Sequence, residues 1–444
     1  MSPFRHLATL RKVFQSTRCY TSIANSGPPG VLHLKTGQSF RGKAFGAPVS
    51  VFGETVFSTS ITSCEMIISR LCVSDSFLTI SSGSADTESM TDPSYRHQLL
   101  VFTTPLIGNY GVPNNVTPID SRDVGVHLES SGIQCTGVIV QDLAEKFSHY
   151  EAIESLDAWC KRYNVPGVTG VDTRAITTLL RDQGTTLGRI AVGADAALSA
   201  PADHEYWDPS KENLVAQVST REPYTLNPRG SIKIAVLDFG NKANILRSLV
   251  RRDAAVTVLP WNFDFNTIRD NFDGFFLTNG PGDPTQCMEA ALNVRRTLHE
   301  WTKPVFGICM GHQIIGIAAG LNSYRMRFGN RGHNQPVLAL ASSGSIKAGR
   351  VYVTRYMVLF SLFLHVLLSS LPPPLLSQNH QYALELSDPF PEGWEPFFIN
   401  CNDSSVEGIK STEESGKRVW GVQFHPESAG GPLDTIEVRR SHLF

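Results

Sequence analysis

The apolar positions along this chain change texture near residue 230. From about 30 to 200 they fall in short runs of strand length: Val31–Leu34, Ser50–Ser58, Leu99–Thr103 and Gly137–Val140. Two helices are predicted among them, over Ile153–Tyr163 and Thr173–Arg181, the second with Asp172 placed to cap its N-terminus. Beyond 230 a continuous apolar strand, Lys233–Asp238, precedes a helix over Ala243–Arg252, strands Ala255–Leu259 and Gly274–Leu277, and a helix through Ala291–Trp301. Unbroken apolar strands alternating with helices predict a parallel sheet covered on both faces. Such sheets take their ligands beyond the carboxyl ends of the strands. The polar, proline-bearing stretch Asp203–Gly230 reads as a linker. The expected fold class is therefore α/β, with a C-terminal doubly wound, mostly parallel sheet joined to an N-terminal β-rich α/β domain.

Within the second texture, Pro304–Gly320 stands out. Val305–Ile308 is long enough only for a buried strand, and apolar residues at Ile314, Ile315, Ile317 and Ala318 then follow helical spacing. Between them lies Cys309, with Gly307 and Gly311 two residues to either side. That is the nucleophile-elbow pattern with Cys in place of Ser. At a helix N-terminus the macrodipole and free N–H groups are expected to favour the thiolate. The competing reading is a buried cysteine acting as a small hydrophobe, and the turn alone does not choose between them.

A thiolate nucleophile needs a base, and the base needs a partner to orient it. Val419–Phe424 reads as a strand running into His425-Pro426-Glu427. From that strand end His425 can reach toward Cys309 while Glu427 holds its other ring nitrogen. Between the two motifs, Leu277–Pro284 ends a strand in a Gly-rich turn, through Gly280 and Gly282, that can aim backbone N–H groups at an oxyanion. An ordinary surface turn has the same composition.

Length and charge narrow the field. The 444 residues accommodate two domains with their own cores. A net charge of −2, from 39 basic and 41 acidic residues without a dense basic patch, argues against a nucleic-acid partner. Cysteines at 19, 64, 72, 135, 160, 287, 309 and 401 form no Cys-x-x-Cys pair, so neither a zinc site nor a disulfide framework is indicated. No Gly-rich loop leads into Gly-Lys-Ser/Thr, which assigns ATP chemistry to a partner. Met1–Ser26 holds Arg5, Arg11, Lys12 and Arg18 and no acid, and Phe4, Leu7, Leu10, Val13 and Phe14 recur at near-helical spacing. That composition predicts a mitochondrial transit peptide, the alternative being a disordered basic tail.

Taken in order and spacing, FGICMGHQ, LTNGPGDP and QFHPES resemble the class I (triad) glutamine amidotransferases. TDPSYRHQLL (91–100), PLIGNYGVP (105–113), PGVTGVDTRAITTLLRDQGT (166–185) and FGNRGHNQPV (328–337) narrow the resemblance to the small subunits of carbamoyl phosphate synthetases, of the arginine-specific mitochondrial type found in fungi. The resemblance implies a transit peptide over 1–26, a small-subunit domain over 30–200, a linker over 203–230 and a flavodoxin-like amidotransferase domain over 231–444. It implies Cys309 as nucleophile, His425 as acid and base, and Glu427 as its orienting partner. Ser94, Gly280, Gly282, Met310, Gln313, Asn379, Gln381 and Tyr382 are the implied glutamine contacts. Ammonia would pass to a large subunit carrying ATP and Mg, with no metal or cofactor in this chain, no nucleic acid, no membrane, and the mitochondrial matrix as the compartment. A non-catalytic regulatory or scaffolding subunit, or an amidotransferase serving another synthase, is the alternative.

Four features depart from that pattern. Cys64–Asp86 and Arg355–Leu376 interrupt segments the family runs together, and both read as intron sequence translated in frame, the alternative being lineage-specific surface loops, which a fold accepts cheaply. Asn379-His380-Gln381-Tyr382 stands where the family has Asn-His-Gly-aromatic, so Gln381 is expected to crowd the substrate or to force an unfavourable φ. After GGPLDT the chain reads IEVRRSHLF where the family continues into a closing helix.

Overall fold

Seven short strands from the first half of the chain close into a barrel. They are β1 (Pro29–Leu34), β2 (Ser39–Gly46), β3 (Val51–Ser58), β4 (Gln98–Phe102), β5 (Gly137–Ile139), β6 (Pro166–Thr169) and β7 (Thr186–Val192). They pair in the order β1-β7-β3-β4-β5-β6-β2, with β3 through β6 successively parallel and the other joints antiparallel. Closure removes the unpaired edges that an open sheet would expose. The computed structural model describes residues 27–59, 85–113, 128–333, 335–343, 348–353 and 377–427. The basic start, Met1–Ser26, lies outside the described residues, as do nearly all of the two departing segments and everything from 428 onward.

Among the described residues three α-helices belong to this half: α1 (Ala85–Thr91), α2 (Leu156–Arg162) and α3 (Thr173–Gln183). α3 starts where its cap predicts, for Asp172 Oδ1 accepts the Ala175 N–H at 2.8 Å. Its Ile176 and Leu180 pack against Leu32, Leu99 and Val168 of the barrel strands. α2 starts three residues later than the periodicity suggests. Ser155 caps it by accepting the Ala158 N–H at 3.2 Å, and Ala152–Glu154 is drawn into a short antiparallel pair with Val112–Pro113. A local side-chain cap and a tertiary strand partner together override the propensity of Ile153 to continue the helix.

The stretch 203–230, between the two domains, carries elements of its own. It forms α4 (Val215–Val218) and then β8 (Tyr224–Leu226), which adds an antiparallel edge to the second domain's sheet. That sheet continues with β9 (Ile232–Asp238), β10 (Ala254–Pro260), β11 (Gly274–Leu277), β12 (Val305–Ile308), β13 (Ser323–His333), β14 (Pro336–Ala339), β15 (Val351–Val353), β16 (Ser377–Leu384), β17 (Trp394–Asn400), β18 (Val406–Ser411) and β19 (Val419–Val422). The order is β8-β10-β9-β11-β12-β19-β18-β17-β14-β15, with β13 and β16 paired to each other and joined through β18. β10, β9, β11, β12 and β19 form the parallel centre. The rest of the sheet is an antiparallel extension that the sequence pattern did not single out.

The parallel strands are buried on both sides, as their unbroken apolar runs predict. Ile234 and Val236 of β9 face Ile245, Leu246 and Leu249 of α5 (Ala243–Val250). Their neighbours Ala235 and Leu237 face the opposite core, with Val294 and Leu298 of α6 (Met288–Glu300) and Ile314 and Ile315 of α7 (Met310–Ala319). Each strand therefore ends at a fixed depth between two helix layers. The loops at its carboxyl end are correspondingly well placed.

Candidate active site

β12 passes into α7 through Cys309, whose backbone takes φ 52° and ψ −104°. A side chain at positive φ is costly, of the order of 1–3 kcal/mol, and such residues concentrate at functional turns. The flanking glycine has a steric cause: a Cβ on Gly311 would stand 2.3 Å from the Leu277 carbonyl oxygen of β11. The turn is pinned further by Cys309 N–H donating to Val422 O of the adjacent β19 at 2.8 Å. Cys309 is buried, and its Sγ lies 3.9 Å from the Asn379 carbonyl oxygen.

β19 is the parallel neighbour of β12, with Ile308 in register with Val422. Three residues beyond, His425 comes off the same end of the sheet. Its Nδ1 donates to Glu427 Oε1 at 2.7 Å, both side chains being fully enclosed. With Nδ1–H engaged, Nε2 is the acceptor nitrogen, and among the described residues it has no hydrogen-bond partner. The Glu427 carboxyl is held below the usual carboxylate range: burial pushes it upward, but His425 and the Lys242 cation outweigh that.

Cys309 corrects one expectation. Burial pushes its thiol up to about 12, and the Asp92 and Glu427 carboxylates add to the rise. Lys242 and the Met310 N–H, the first of α7, act the other way without overcoming it. The helix terminus does favour the thiolate, but desolvation and two nearby carboxylates are larger. The resting group is therefore a thiol, and attack requires transfer of its proton to a base.

Around the cysteine a cleft brings together Ser94, Gly280, Gly282, Gln313, Asn379, Gln381 and Tyr382. Ser94 comes from the first domain and accepts a hydrogen bond from Asn279 Nδ2 at 3.0 Å, directly before Gly280. Gln313 is fixed by donating to Tyr382 O at 2.7 Å and to Gln423 Oε1 at 3.0 Å. Met310 turns its side chain into the apolar core and offers only its backbone to the site. Gln381 forces no left-handed backbone, since it is absent from the positive-φ residues among those described. Its amide is held in the cleft wall, donating to Met326 O at 2.6 Å and accepting from Arg331 Nη2 at 2.9 Å.

A buried polar seam behind the triad escaped the sequence reading. Lys242 Nζ lies 3.1 Å from Asp92 Oδ2 and 3.8 Å from Glu427 Oε1. Asp92 in turn accepts the Ser94 N–H at 2.9 Å. One lysine thus ties the Ser94 turn of the first domain to the triad of the second. Asn244 Nδ2 donates to the Glu427 carbonyl, and Glu129 of the first domain accepts the Asn244 N–H at 3.0 Å and pairs with Arg247 at 3.3 Å. Asn244 and Lys242 follow β9, and a polar cluster at a parallel-strand carboxyl end was the available signal.

A cysteine on a strand-to-helix elbow, with a buried His–Glu pair at the end of the next parallel strand, is the arrangement by which the chain resembles the class I glutamine amidotransferases. The sequence profile described as "Glutamine amidotransferase class-I" matches residues 235–442. A second profile, "Carbamoyl-phosphate synthase small chain, CPSase domain", matches residues 76–190. The chain is 41% identical over 439 residues to the carbamoyl phosphate synthase arginine-specific small chain of Yarrowia lipolytica, covering 97% of this chain and 85% of that one. Against the protein of the same description from Chaetomium globosum it is 41% identical over 433 residues, covering 97% and 80%. The chain belongs to the carbamoyl phosphate synthase small-chain family.

Proposed function

We propose that this chain hydrolyses glutamine to glutamate and ammonia and delivers the ammonia to a large synthetase subunit that makes carbamoyl phosphate for arginine synthesis. The observation that carries the chemistry is the buried His425–Glu427 pair, at the end of the strand that adjoins the Cys309 strand, with Nε2 unengaged among the described residues. Cys309 passes its proton to His425 Nε2 as Sγ bonds to the side-chain amide carbon of glutamine. Glu427, held as a carboxylate, stabilises the imidazolium so formed. The developing oxyanion falls to the backbone N–H of Met310 and to the Gly280–Gly282 turn. His425 returns the proton to the departing nitrogen, which leaves as ammonia with the C–N bond broken. It then takes a proton from water, whose oxygen attacks the γ-glutamyl thioester and releases glutamate and the thiol.

ATP and Mg belong, in this reading, to the large subunit, and glutamine is the small-molecule partner of this chain. The acid-free, arginine-bearing start supports import into the mitochondrial matrix. N-terminal sequencing of the mature protein from isolated mitochondria tests that, and an intact Met1–Ser26 on matrix protein rejects it. For the chemistry, Cys309→Ala is expected to abolish glutamine-dependent carbamoyl phosphate synthesis while ammonia-dependent synthesis by the assembled complex continues. Retained glutamine hydrolysis by that variant rejects the assignment.

A further inference from the structure

Arg331 is a buried cation that forms no ion pair among the described residues, the Glu54 charge favouring it only from beyond contact distance. Its residue is only 6% exposed, yet no carboxylate among the described residues lies within ion-pair distance of it. Among the described residues its one side-chain hydrogen bond runs from Nη2 to Gln381 Oε1, and its enclosed Nε has no partner. The carboxylate of Glu54, which lines the same cleft, is already taken by Arg325 and accepts from Gln98 at 3.0 Å and Thr185 at 3.0 Å. Burying an uncompensated charge is among the costliest things a fold can do. A guanidinium left this way on the wall of a ligand cleft is short of an anionic partner.

The position fits a particular one. Arg331 lies on β13 directly opposite Asn379 of β16, and the Asn379 carbonyl is 3.9 Å from Cys309 Sγ. Antiparallel partners stand about 4.5–5.5 Å apart. An extended glutamine separates its amide carbon from its α-carboxylate by about 5 Å, four bonds of ordinary length. We propose that Arg331 anchors the α-carboxylate of the substrate, its planar fork closing on both oxygens. Gln381, at the position where the sequence departs from the family's glycine, holds Nη2 and so aims the fork into the cleft. This rests on the reading of the cleft as a glutamine site.

The test is steady-state hydrolysis of L-glutamine and of L-glutaminamide, its neutral α-amide, by the full chain assembled with its large subunit. The wild type is expected to prefer glutamine by about 30-fold in kcat/KM, most of it in KM, the order given by a charged hydrogen-bonded pair. In Arg331→Gln the value for glutamine falls to that for glutaminamide, which itself changes less than threefold, and Arg331→Lys is intermediate. Alkylation of Cys309 by iodoacetamide at the wild-type rate verifies that the variants keep the site folded. A wild type that handles the two compounds within threefold overturns the proposal with no variant needed. So does an Arg331→Gln enzyme in which both activities fall together and the preference survives. A wild-type complex that hydrolyses neither compound refutes the glutamine reading itself, a result distinct from either of these.

Discussion

Replacing Glu427 by Gln changes a charge while nearly preserving shape, at a site where the charge should matter most. The carboxylate meets His425 Nδ1 at 2.7 Å with both side chains wholly buried, so solvent does not screen it. A hydrogen bond to an ionised partner contributes about 1.5–3 kcal/mol. That support is fully expressed only when His425 carries the proton of Cys309, whose thiol sits up at about 12 and cannot ionise unaided near neutrality. At 1.36 kcal/mol per decade, Glu427→Gln is expected to lower kcat for glutamine by about 10- to 150-fold. The loss deepens toward about 10⁴ if the new amide offers its NH2 and turns the imidazole to the wrong tautomer. Lys242 keeps Asp92 at 3.1 Å, so the fold is not left with a stranded cation. The stability change also has a defined pH window. Because the folded-state pKa of Glu427 is depressed, its contribution is present above about pH 4.3 and is lost as pH falls through the depressed value. The assay is glutamine-dependent against ammonia-dependent synthesis by the same complex, with melting curves at pH 3 to 8. A kcat within threefold of wild type, in a variant that melts normally, refutes the reasoning.

Burial pushes the Glu88 carboxyl up to about 7, Glu129 adding to the rise while Lys242 and Arg247 oppose it. A raised carboxylate costs stability once pH exceeds its unfolded value, so Glu88→Gln is expected to melt higher than wild type at pH 8 and at the same temperature near pH 4; an equal gap at both pH values counts against it. A Cβ on Gly280 would fall 2.2 Å from the Phe239 carbonyl oxygen, backbone that cannot swing aside. Gly280→Ala should therefore displace the turn beside Cys309, lowering kcat/KM for glutamine at least tenfold and costing about 1–3 kcal/mol by denaturant titration. Tryptic mapping of the protein isolated from its source should yield a peptide reading through SITSYTESMTDPSYR in place of the run through Cys64–Asp86; recovery of LCVSDSFLTISSGSADTESMTDPSYR would show that segment to be retained.

Read by itself, the sequence determined the parallel centre of the second domain and the local geometry of the turns at its edge. β11 and β12 fall on the residues their apolar runs mark, and the Cys309 elbow needed only local information: two glycines, a strand before and a helix after. The His425–Glu427 hydrogen bond was legible for the same reason, its partners being two residues apart. Sequence did not supply what depends on distant segments meeting. The barrel closes through β1 and β7, about 160 positions apart in the chain, and no periodicity encodes that pairing. The thiol's acidity was misjudged because a helix terminus is local, whereas burial and the approach of Asp92 are tertiary. Lys242 and Arg331 look like ordinary surface cations in one dimension. Only folding sets Lys242 between carboxylates from two domains and encloses Arg331 in the Cys309 cleft with no ion pair among the described residues, because desolvation, which decides what a charge costs, is a property of the packed molecule.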